Sequence, residues 1–148
     1  DPSAWACPFG AHIRRANPRD TRFPGSQEEI ASVNRHRLLR IGRAYGMKDP
    51  DDNTWTPGKP QGLMFMCLNG DIERQFEFVQ KTWLLNPNIH GLQNEVDPIL
   101  GRGPNKSFTI PTTTGPICLD GIPDFVTVKG GGYFFLPSKT FLEYLAKA

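Results

Sequence analysis

The stretch CPFGAHIRRANPR, which begins at Cys7, constrains this chain more than any other part of it. Pro8 and Pro18 lie near its two ends, and because proline breaks regular structure, only a short element fits between them. At its centre is His12, preceded by Gly10 and an alanine, which leave room for a bulky group beside the imidazole. A neutral imidazole is a good ligand for iron, zinc or copper, although a lone histidine is more often structural. The stretch alone leaves both interpretations open.

Composition and length describe one folded globular domain. The chain has 148 residues, of which 38% are hydrophobic and 22% charged, which is unlike a disordered protein. No apolar run approaches the roughly 20 residues of a membrane-spanning helix. The cysteines are widely spaced and form neither the CxxC pairs of zinc sites nor a CxxCH motif for covalent haem.

Arginines are concentrated in one part of the chain, although the net charge is only +2. The cluster comprises Arg14, Arg15, Arg19, Arg22, Arg35, Arg37, Arg40 and Arg43, and few acidic residues accompany it. Such an excess predicts an anionic partner, and arginine forks suit carboxylates and phosphates alike. A solvated basic face, or salt bridges to a preceding part of the protein, would explain it equally well. No aromatic interleaving or known module supports nucleic acid.

The middle of the chain predicts a helix, a strand, a second strand and a long helix. Ser26 with Glu29 forms a capping box for a short helix. Residues 33–41 favour an extended strand, and the continuous apolar run of residues 63–68 predicts a buried one. Residues 72, 76, 79 and 83 then place apolar side chains on one face of a helix, which Asn69 would cap and Asn86-Pro87 would end.

The rest of the chain predicts short strands and a terminal helix. Strands are predicted at Phe108–Ile110, Phe125–Lys129 and Tyr133–Leu136, and a helix from about Lys139. Because strands and helices mix without a strict βαβ rhythm, the fold class predicted is α+β with a mostly antiparallel sheet packed with helices.

Four blocks of the chain, taken in order, resemble the dye-decolorizing peroxidases, a family of haem peroxidases. The first is the proximal-histidine motif CPFGAHIRRANPR, and the others are residues 36–46, 62–78 and 128–138. The resemblance runs from about Trp5 to the end. It implies that residues 1–148 are the C-terminal haem-binding portion of such an enzyme, the second of two ferredoxin-like halves. We expect the N-terminal half to be absent and the sheet to be incomplete.

The resemblance also implies a function and a set of site residues. We expect a haem peroxidase that binds haem b and uses hydrogen peroxide to oxidise bulky aromatic, dye-like donors. His12 would be the axial iron ligand, Asp97 would accept a hydrogen bond from its other ring nitrogen, and Arg40 would stabilise the leaving oxygen. Leu63 and Phe65 would line the distal face. For Asp97, capping of the turn made with the following proline is an equal alternative.

The sequence lacks one motif of the family, and its absence leaves alternative functions open. The family's distal acid–base aspartate lies in a Gly-x-x-Asp-Gly motif upstream of the histidine, so we expect the isolated chain not to be competent alone. The alternatives are a non-catalytic haem-binding protein and an anion- or nucleic-acid-binding domain built on the Arg14–Arg43 cluster. The expected partners are haem, hydrogen peroxide, an aromatic donor and the missing N-terminal part, with homo-oligomerisation open and membrane or nucleic acid not expected. We expect a cytoplasmic protein, and any leader would lie in the missing part.

Overall fold

The computed structural model describes residues 1–46, 48–49, 51, 54–104 and 106–147. In chain order its elements are α1 (His12–Ala16), α2 (Gln27–Asn34), β1 (Leu39–Tyr45), β2 (Gly62–Leu68), two π-helical segments (Glu73–Glu77 and Val79–Leu84), a 3₁₀ turn (Ile89–Gly91), β3 (Ser107–Ile110), β4 (Ile117–Asp120) and α3 (Lys139–Leu145). We call the two π-helical segments, with Phe78 between them, the central helix. The predicted α+β class is confirmed.

The strands form two separate antiparallel pairs within the described residues. β1 pairs with β2 in a register that sets Leu39 opposite Leu68 and Tyr45 opposite Gly62. β3 pairs with β4, a strand that the sequence analysis did not predict. The antiparallel pairing agrees with the prediction, but the described strands make two two-stranded sheets instead of one larger sheet.

Local hydrogen bonds explain where α2 begins. The Ser26 hydroxyl accepts from the amide of Glu29 at 3.2 Å, which is one half of the predicted capping box. The Glu29 carboxylate accepts instead from the amides of Arg22 and Phe23. The helix then continues through Val33, which is buried. The strand predicted from Val33 is therefore wrong in its first part, and β1 begins only at Leu39.

The central helix occupies the predicted place but has π geometry. Its amides reach back five residues, as from Glu77 to the carbonyl of Ile72 at 3.0 Å. Asp71, not the predicted Asn69, caps its start by accepting from the amide of Arg74 at 3.0 Å. Extended π-helical geometry is rare and concentrates at functional sites, and a 3.6-residue hydrophobic period does not distinguish it from an α-helix.

Burial is confined to one part of the molecule. The apolar core consists of Val33, Val79, Trp83, Leu84 and Ile89. Apart from Val33, every buried residue among those described lies in residues 4–18 or 79–110, which we call the packed region. Its contacts join α1 to the second half of the central helix. None of the helices in the described residues is long and apolar enough to cross a membrane.

Two other segments, residues 39–68 and 113–147, contain no buried residue where they are described, and we call them the open region. The strand predicted over residues 63–68 exists as β2, but the prediction that it is buried is wrong, because Leu63 is 64% exposed. Phe125–Lys129 and Tyr133–Leu136 are not strands. An alternating pattern stabilises a strand only where a partner strand pairs with it.

Candidate functional site

The candidate site is a hydrogen-bonded pair, His12 and Asp97, that joins residues 85 positions apart. The Nδ1 atom of His12 lies 2.9 Å from Oδ2 and 3.1 Å from Oδ1 of Asp97. His12 is the first residue of α1, and Asp97 lies in the irregular segment that follows the 3₁₀ turn. Sequence analysis named both residues, and the structure brings them together.

The surroundings of Asp97 keep its carboxyl ionised. Its Oδ1 also accepts from the amides of Ile99 and Leu100, at 2.9 and 2.8 Å. Complete burial raises the pKa of Asp97, but the hydrogen bonds from His12, Leu100 and Ile99 lower it by more, so the pKa lies below 3.8. An ionised Asp97 is only an acceptor, and His12 therefore donates its Nδ1 proton to it.

The other ring nitrogen of His12 is free to act as a ligand. Its side chain is 35% exposed, and within the described residues no hydrogen bond engages Nε2. In a neutral imidazole, a proton on Nδ1 leaves the lone pair on Nε2. The described residues hold no group of three or more His, Cys, Asp or Glu side chains arranged to bind a metal. Iron held here would have fewer than three such ligands from the described residues, so a cofactor would have to bring the others.

Gly10 has a different role from the one that the sequence suggested. A Cβ atom built on it would lie 1.8 Å from Oε1 of Glu95 and 3.2 Å from the ring of Phe108. The missing side chain therefore accommodates buried Glu95 and does not open space for a ligand beside His12. The prediction of room at Gly10 is wrong for this reason.

Three charged residues around the pair are buried, which the sequence did not indicate: Arg15, assigned above to the anion-binding cluster, Glu95 and Lys106. Charged side chains are rarely buried unless they are paired, and no local pattern marked these three. The available signal was the spacing of Arg15, three residues after His12, which places both on one side of a helical turn. Burial lowers the pKa of the Arg15 guanidinium, while the charges of Asp97 and Glu95 raise it by less.

The arginine cluster is not one continuous basic surface. Arg14 and Arg15 are buried and bound within the chain. Arg14 donates to the hydroxyl of Thr21 at 2.9 Å and to the carbonyl of Asp1 at 3.1 Å. These two arginines are not available to contact a nucleic-acid backbone, which leaves six of the eight arginines for the predicted anion-binding surface.

The three remaining site residues lie together on the first strand pair. Arg40 is opposite Cys67, and Phe65 and Leu63 follow on the same face because side chains alternate along a strand. All three are exposed, with Phe65 at 43%. Phe65 also approaches Phe76 of the central helix, with ring centroids 6.3 Å apart.

The predicted site residues thus form two groups. Within the described residues, no hydrogen bond or ion pair connects Arg40 with His12 or Asp97. A cleft of about 590 Å³ lies elsewhere, between Phe23, Phe78, Trp83 and His90, and includes neither group. The assignment of His12 and Arg40 to ligand and catalytic roles stays a prediction.

The chain is thus an α+β protein in which a buried, ionised carboxylate accepts a hydrogen bond from the candidate ligand, His12. Comparison with curated proteins identifies relatives of this chain. The multifunctional dye peroxidase DyP2 of Amycolatopsis sp. is 38% identical, with 94% of this chain and 32% of that protein covered. The dye-decolorizing peroxidase msp1 of Mycetinis scorodonius is 33% identical, covering 89% of this chain and 28% of that protein. A deferrochelatase of Yersinia pestis is 30% identical over 75% of this chain and 21% of its own length.

Solved structures agree with these relatives. The structure of DyP2 from Amycolatopsis sp. superposes with a TM-score of 0.65 at 33% identity, covering 88% of this chain and 30% of that one. No family model matches the chain. The chain belongs to the dye-decolorizing peroxidase family. It spans about a third of the length of the curated relatives it matches, 32% and 28% for the two peroxidases named above.

Proposed function

We propose that this chain is the C-terminal haem-binding portion of a dye-decolorizing-type peroxidase. The whole protein would bind haem b and oxidise bulky aromatic donors with hydrogen peroxide. The observation that carries the proposal is the hydrogen bond between His12 Nδ1 and buried, ionised Asp97. The relatives named as dye peroxidases support the same activity for the longer protein.

The residues at His12 fit haem. A porphyrin would itself supply four nitrogen ligands to its iron, so the protein would need to add only one ligand, which His12 could provide. A site with one half-exposed imidazole and no neighbouring ligand cluster among the described residues meets that requirement. The donor set does not fit a closed zinc site, which needs four protein ligands.

Asp97 determines how His12 would act. Its carboxylate holds the Nδ1 proton, which fixes the tautomer, orients the ring and makes Nε2 a more basic ligand. The amides of Ile99 and Leu100 hold the carboxylate in turn. Both steps depend on an ionised Asp97, which its lowered pKa provides at neutral pH.

When bound, haem supplies the iron at which hydrogen peroxide is reduced. The contribution of Arg40 would be its fixed positive charge, which stabilises negative charge that develops on the leaving oxygen. Leu63 and Phe65 share its face of the strand pair and would keep water away from that charge. The low dielectric around such a site strengthens the electrostatic interaction.

A proton must also move between the peroxide oxygens, and this chain does not contain the family's Gly-x-x-Asp-Gly motif for that task. A proton shuttle of this kind contributes about 10²–10⁴ in rate. We propose that the rest of a longer protein supplies this proton shuttle. The proposal agrees with the comparison, in which this chain spans about a third of the length of its relatives.

The test of the ligand is His12→Ala in the full-length protein. Haem content should fall strongly, and the spectrum of a histidine-ligated iron should disappear. Ile13→Ala is the matched control, because Ile13 is the next residue of α1 and is 69% exposed. An unchanged spectrum in His12→Ala would contradict the assignment.

The test of the distal charge is Arg40→Leu. Haem should be retained, and the stopped-flow rate of reaction with hydrogen peroxide should fall by about 10²-fold, as for one oxyanion-hole donor. Arg43→Leu is the matched control because Arg43 lies on the same strand but on the opposite face. Loss of haem with a normal rate per haem would make Arg40 a propionate anchor instead.

The relative named deferrochelatase favours a second candidate, a protein that binds haem without peroxidase turnover. The His12–Asp97 pair serves either function. The same full-length protein separates them: peroxide-dependent dye oxidation supports the first candidate. Haem binding with no such turnover, together with release of iron from haem, supports the second.

A further inference from the structure

Arg15 connects three separate segments of the packed region. Its side chain is fully buried, and Nε donates to the carbonyl of Gly10 at 3.0 Å. Nη1 donates to the carbonyls of Leu84 and Asn86, at 3.3 and 3.0 Å, and Nη2 donates to that of Glu95. Because all the acceptors are backbone carbonyls, the guanidinium group fixes the positions of these backbone segments relative to one another. It fixes the residue two before Asp97 relative to α1, which carries His12.

Lys106 holds the chain on the other side of Asp97. Its side chain is 2% exposed, and Nζ donates to the carbonyls of Pro98 and Gly101, at 3.4 and 3.1 Å. It also donates to the carbonyl of Pro123 at 2.8 Å and lies 2.9 Å from Oδ1 of Asp124. The turn that follows Asp97 is thereby joined to the segment after β4.

The turn that begins at Asp97 is tight, and its hydrogen bonds orient the carboxylate relative to the turn but not relative to His12. The amide of Gly101 donates to the carbonyl of Asp97 at 2.8 Å, and a Cβ atom on Gly101 would lie 2.5 Å from that oxygen. These bonds, with those from Ile99 and Leu100, fix Asp97 relative to its own turn. Contacts with other segments must set where this turn lies: Arg15 joins the chain just before it to α1, and Lys106 joins the turn to the segment after β4.

We infer that Arg15 and Lys106 are positioning residues that hold Asp97 at hydrogen-bonding distance from His12. Each anchors one side of the short segment that carries the carboxylate. Buried charges contribute little net stability, because desolvation offsets their attraction, so geometry is the better explanation for two of them here. A ligand-bracing hydrogen bond needs such support to keep its length and direction. The inference rests on the proposed function only in taking His12 as the iron ligand.

The decisive test observes the His12 Nδ1 proton in the haem-free, full-length protein labelled with ¹⁵N-histidine. The signal is assigned by its loss in His12→Gln, and Asp97→Ala gives the reference for a broken hydrogen bond. Arg15→Met and Lys106→Met should each speed exchange of this proton with water by about tenfold or more, toward that reference. The matched control is Arg14→Met: Arg14 is equally buried on α1, but its bonds go to Asp1 and Thr21. It should leave the exchange rate unchanged.

Wild-type exchange in both folded variants would overturn the inference, and so would equal acceleration in Arg14→Met. If Arg15→Met does not fold, Arg15→Lys decides, because one ammonium group cannot reach all four carbonyls. It should give an intermediate rate, and a wild-type rate would overturn the role of Arg15.

A second measurement uses the haem-loaded protein. The iron–histidine stretching frequency of the ferrous form should shift in Arg15→Met and Lys106→Met in the direction found for Asp97→Asn, by a smaller amount. An unchanged frequency in both variants would contradict positioning. If the wild-type protein binds no haem, the proposed function fails, while the exchange measurement still decides the positioning.

Discussion

The packed region and the open region of this chain obey different rules. In the packed region, apolar side chains such as Trp83 and Leu84 are buried together with charged ones such as Arg15 and Asp97. In the open region, apolar side chains are as frequent, but Phe134 is 89% exposed and Leu63 64%. The His12–Asp97 pair is therefore held by contacts between segments of this chain, whereas nothing described in the chain covers the apolar surfaces of the open region.

An exposed apolar surface of this extent marks an interface in a soluble protein. The open region carries Arg40, Leu63 and Phe65, the residues proposed for the distal face. The chain spans 32% of the length of its Amycolatopsis relative, so we expect the remainder of a longer protein to cover this surface. We therefore expect that residues of this chain are enough to form the His12–Asp97 half of the proposed site, whereas the half with Arg40, Leu63 and Phe65 depends on that cover.

The largest effect that tests this comparison is expected for Trp83→Ala. Trp83 is 8% exposed and meets Phe78 and His36 edge-on, with ring centroids 5.3 Å away in both cases. Removal of a buried tryptophan should lower the free energy of unfolding by about 3–5 kcal/mol. Urea denaturation of the 148-residue chain measures it.

Phe134→Ala is the matched change in the open region. It should stay within about 0.5 kcal/mol in the 148-residue chain, because the ring is exposed there. In the longer protein, where we expect the ring to be buried, the same change should cost about 3–5 kcal/mol, as for Trp83. Equal costs for Trp83 and Phe134 in the short chain would break the comparison.

This contrast also explains which sequence predictions succeeded. Elements set by local chemistry were found, such as α2 with its Ser26 cap and α3 from Lys139. The helix at Ile72 was placed correctly, but its π geometry was missed because hydrophobic spacing does not report hydrogen-bond length. Residues 125–129 alternate well yet have no partner strand among the described residues, and pattern alone cannot supply one.

For the site as well, features that depend on contacts between distant segments could not be predicted from local sequence. Nothing local connects His12 with Asp97, which is 85 residues away; only the family resemblance joined them. Arg15 and Lys106 were missed because a charged residue is expected at the surface, and only the tertiary structure shows that carbonyls surround both. β2 was predicted correctly as a strand and wrongly as buried, because a sequence does not say what covers it.

A second effect concerns His90, the strained residue of the packed region. Its φ of 55° is unusual for a non-glycine residue, and both ring nitrogens are buried with no hydrogen-bond partner among the described residues. Burial is the main cause that lowers the pKa of His90 from 6.5 to about 4. The charge of Glu29 raises this pKa by less, and nearby arginines lower it further. The folded protein therefore keeps this ring neutral where the unfolded chain already protonates it.

The pH dependence follows from that difference. As the pH falls below 6.5, the unfolded state binds a proton that the folded state does not, so the free energy of unfolding decreases until about pH 4. The loss should reach up to ~3 kcal/mol. His90→Asn tolerates the left-handed backbone and should remove this slope from denaturation curves measured between those pH values. A wild-type curve that is flat over the same range would contradict a neutral, buried His90.

The smallest effect is expected where the open region touches the central helix. The hydroxyl of Tyr133 donates to Oε1 of Glu77 at 2.9 Å, although Tyr133 is 61% exposed. This hydrogen bond, with one from Lys81, lowers the pKa of Glu77, and it raises the pKa of Tyr133. The contact should therefore stabilise the protein above the ordinary pKa of a glutamate, 4.5, and up to the ordinary pKa of a tyrosine, 10.0.

The signs of the two shifts set both limits of that window. Stability from Glu77 disappears as the pH falls through its lowered folded pKa, and stability from Tyr133 disappears as the pH rises through its raised one. Tyr133→Phe should remove the dependence at high pH and weaken the one at low pH, because Lys81 still lowers the pKa of Glu77. Stability at neutral pH should change little, since exposed contacts contribute little. Tyr144→Phe is the matched control: Tyr144 is 66% exposed on α3, and no hydrogen bond of its hydroxyl occurs among the described residues. Absorbance titration of tyrosinate in the two variants measures which tyrosine has the raised pKa.

If both variants lose the same part of the titration curve, the Tyr133 hydroxyl is not hydrogen-bonded to Glu77, and this contact between the open region and the central helix is absent.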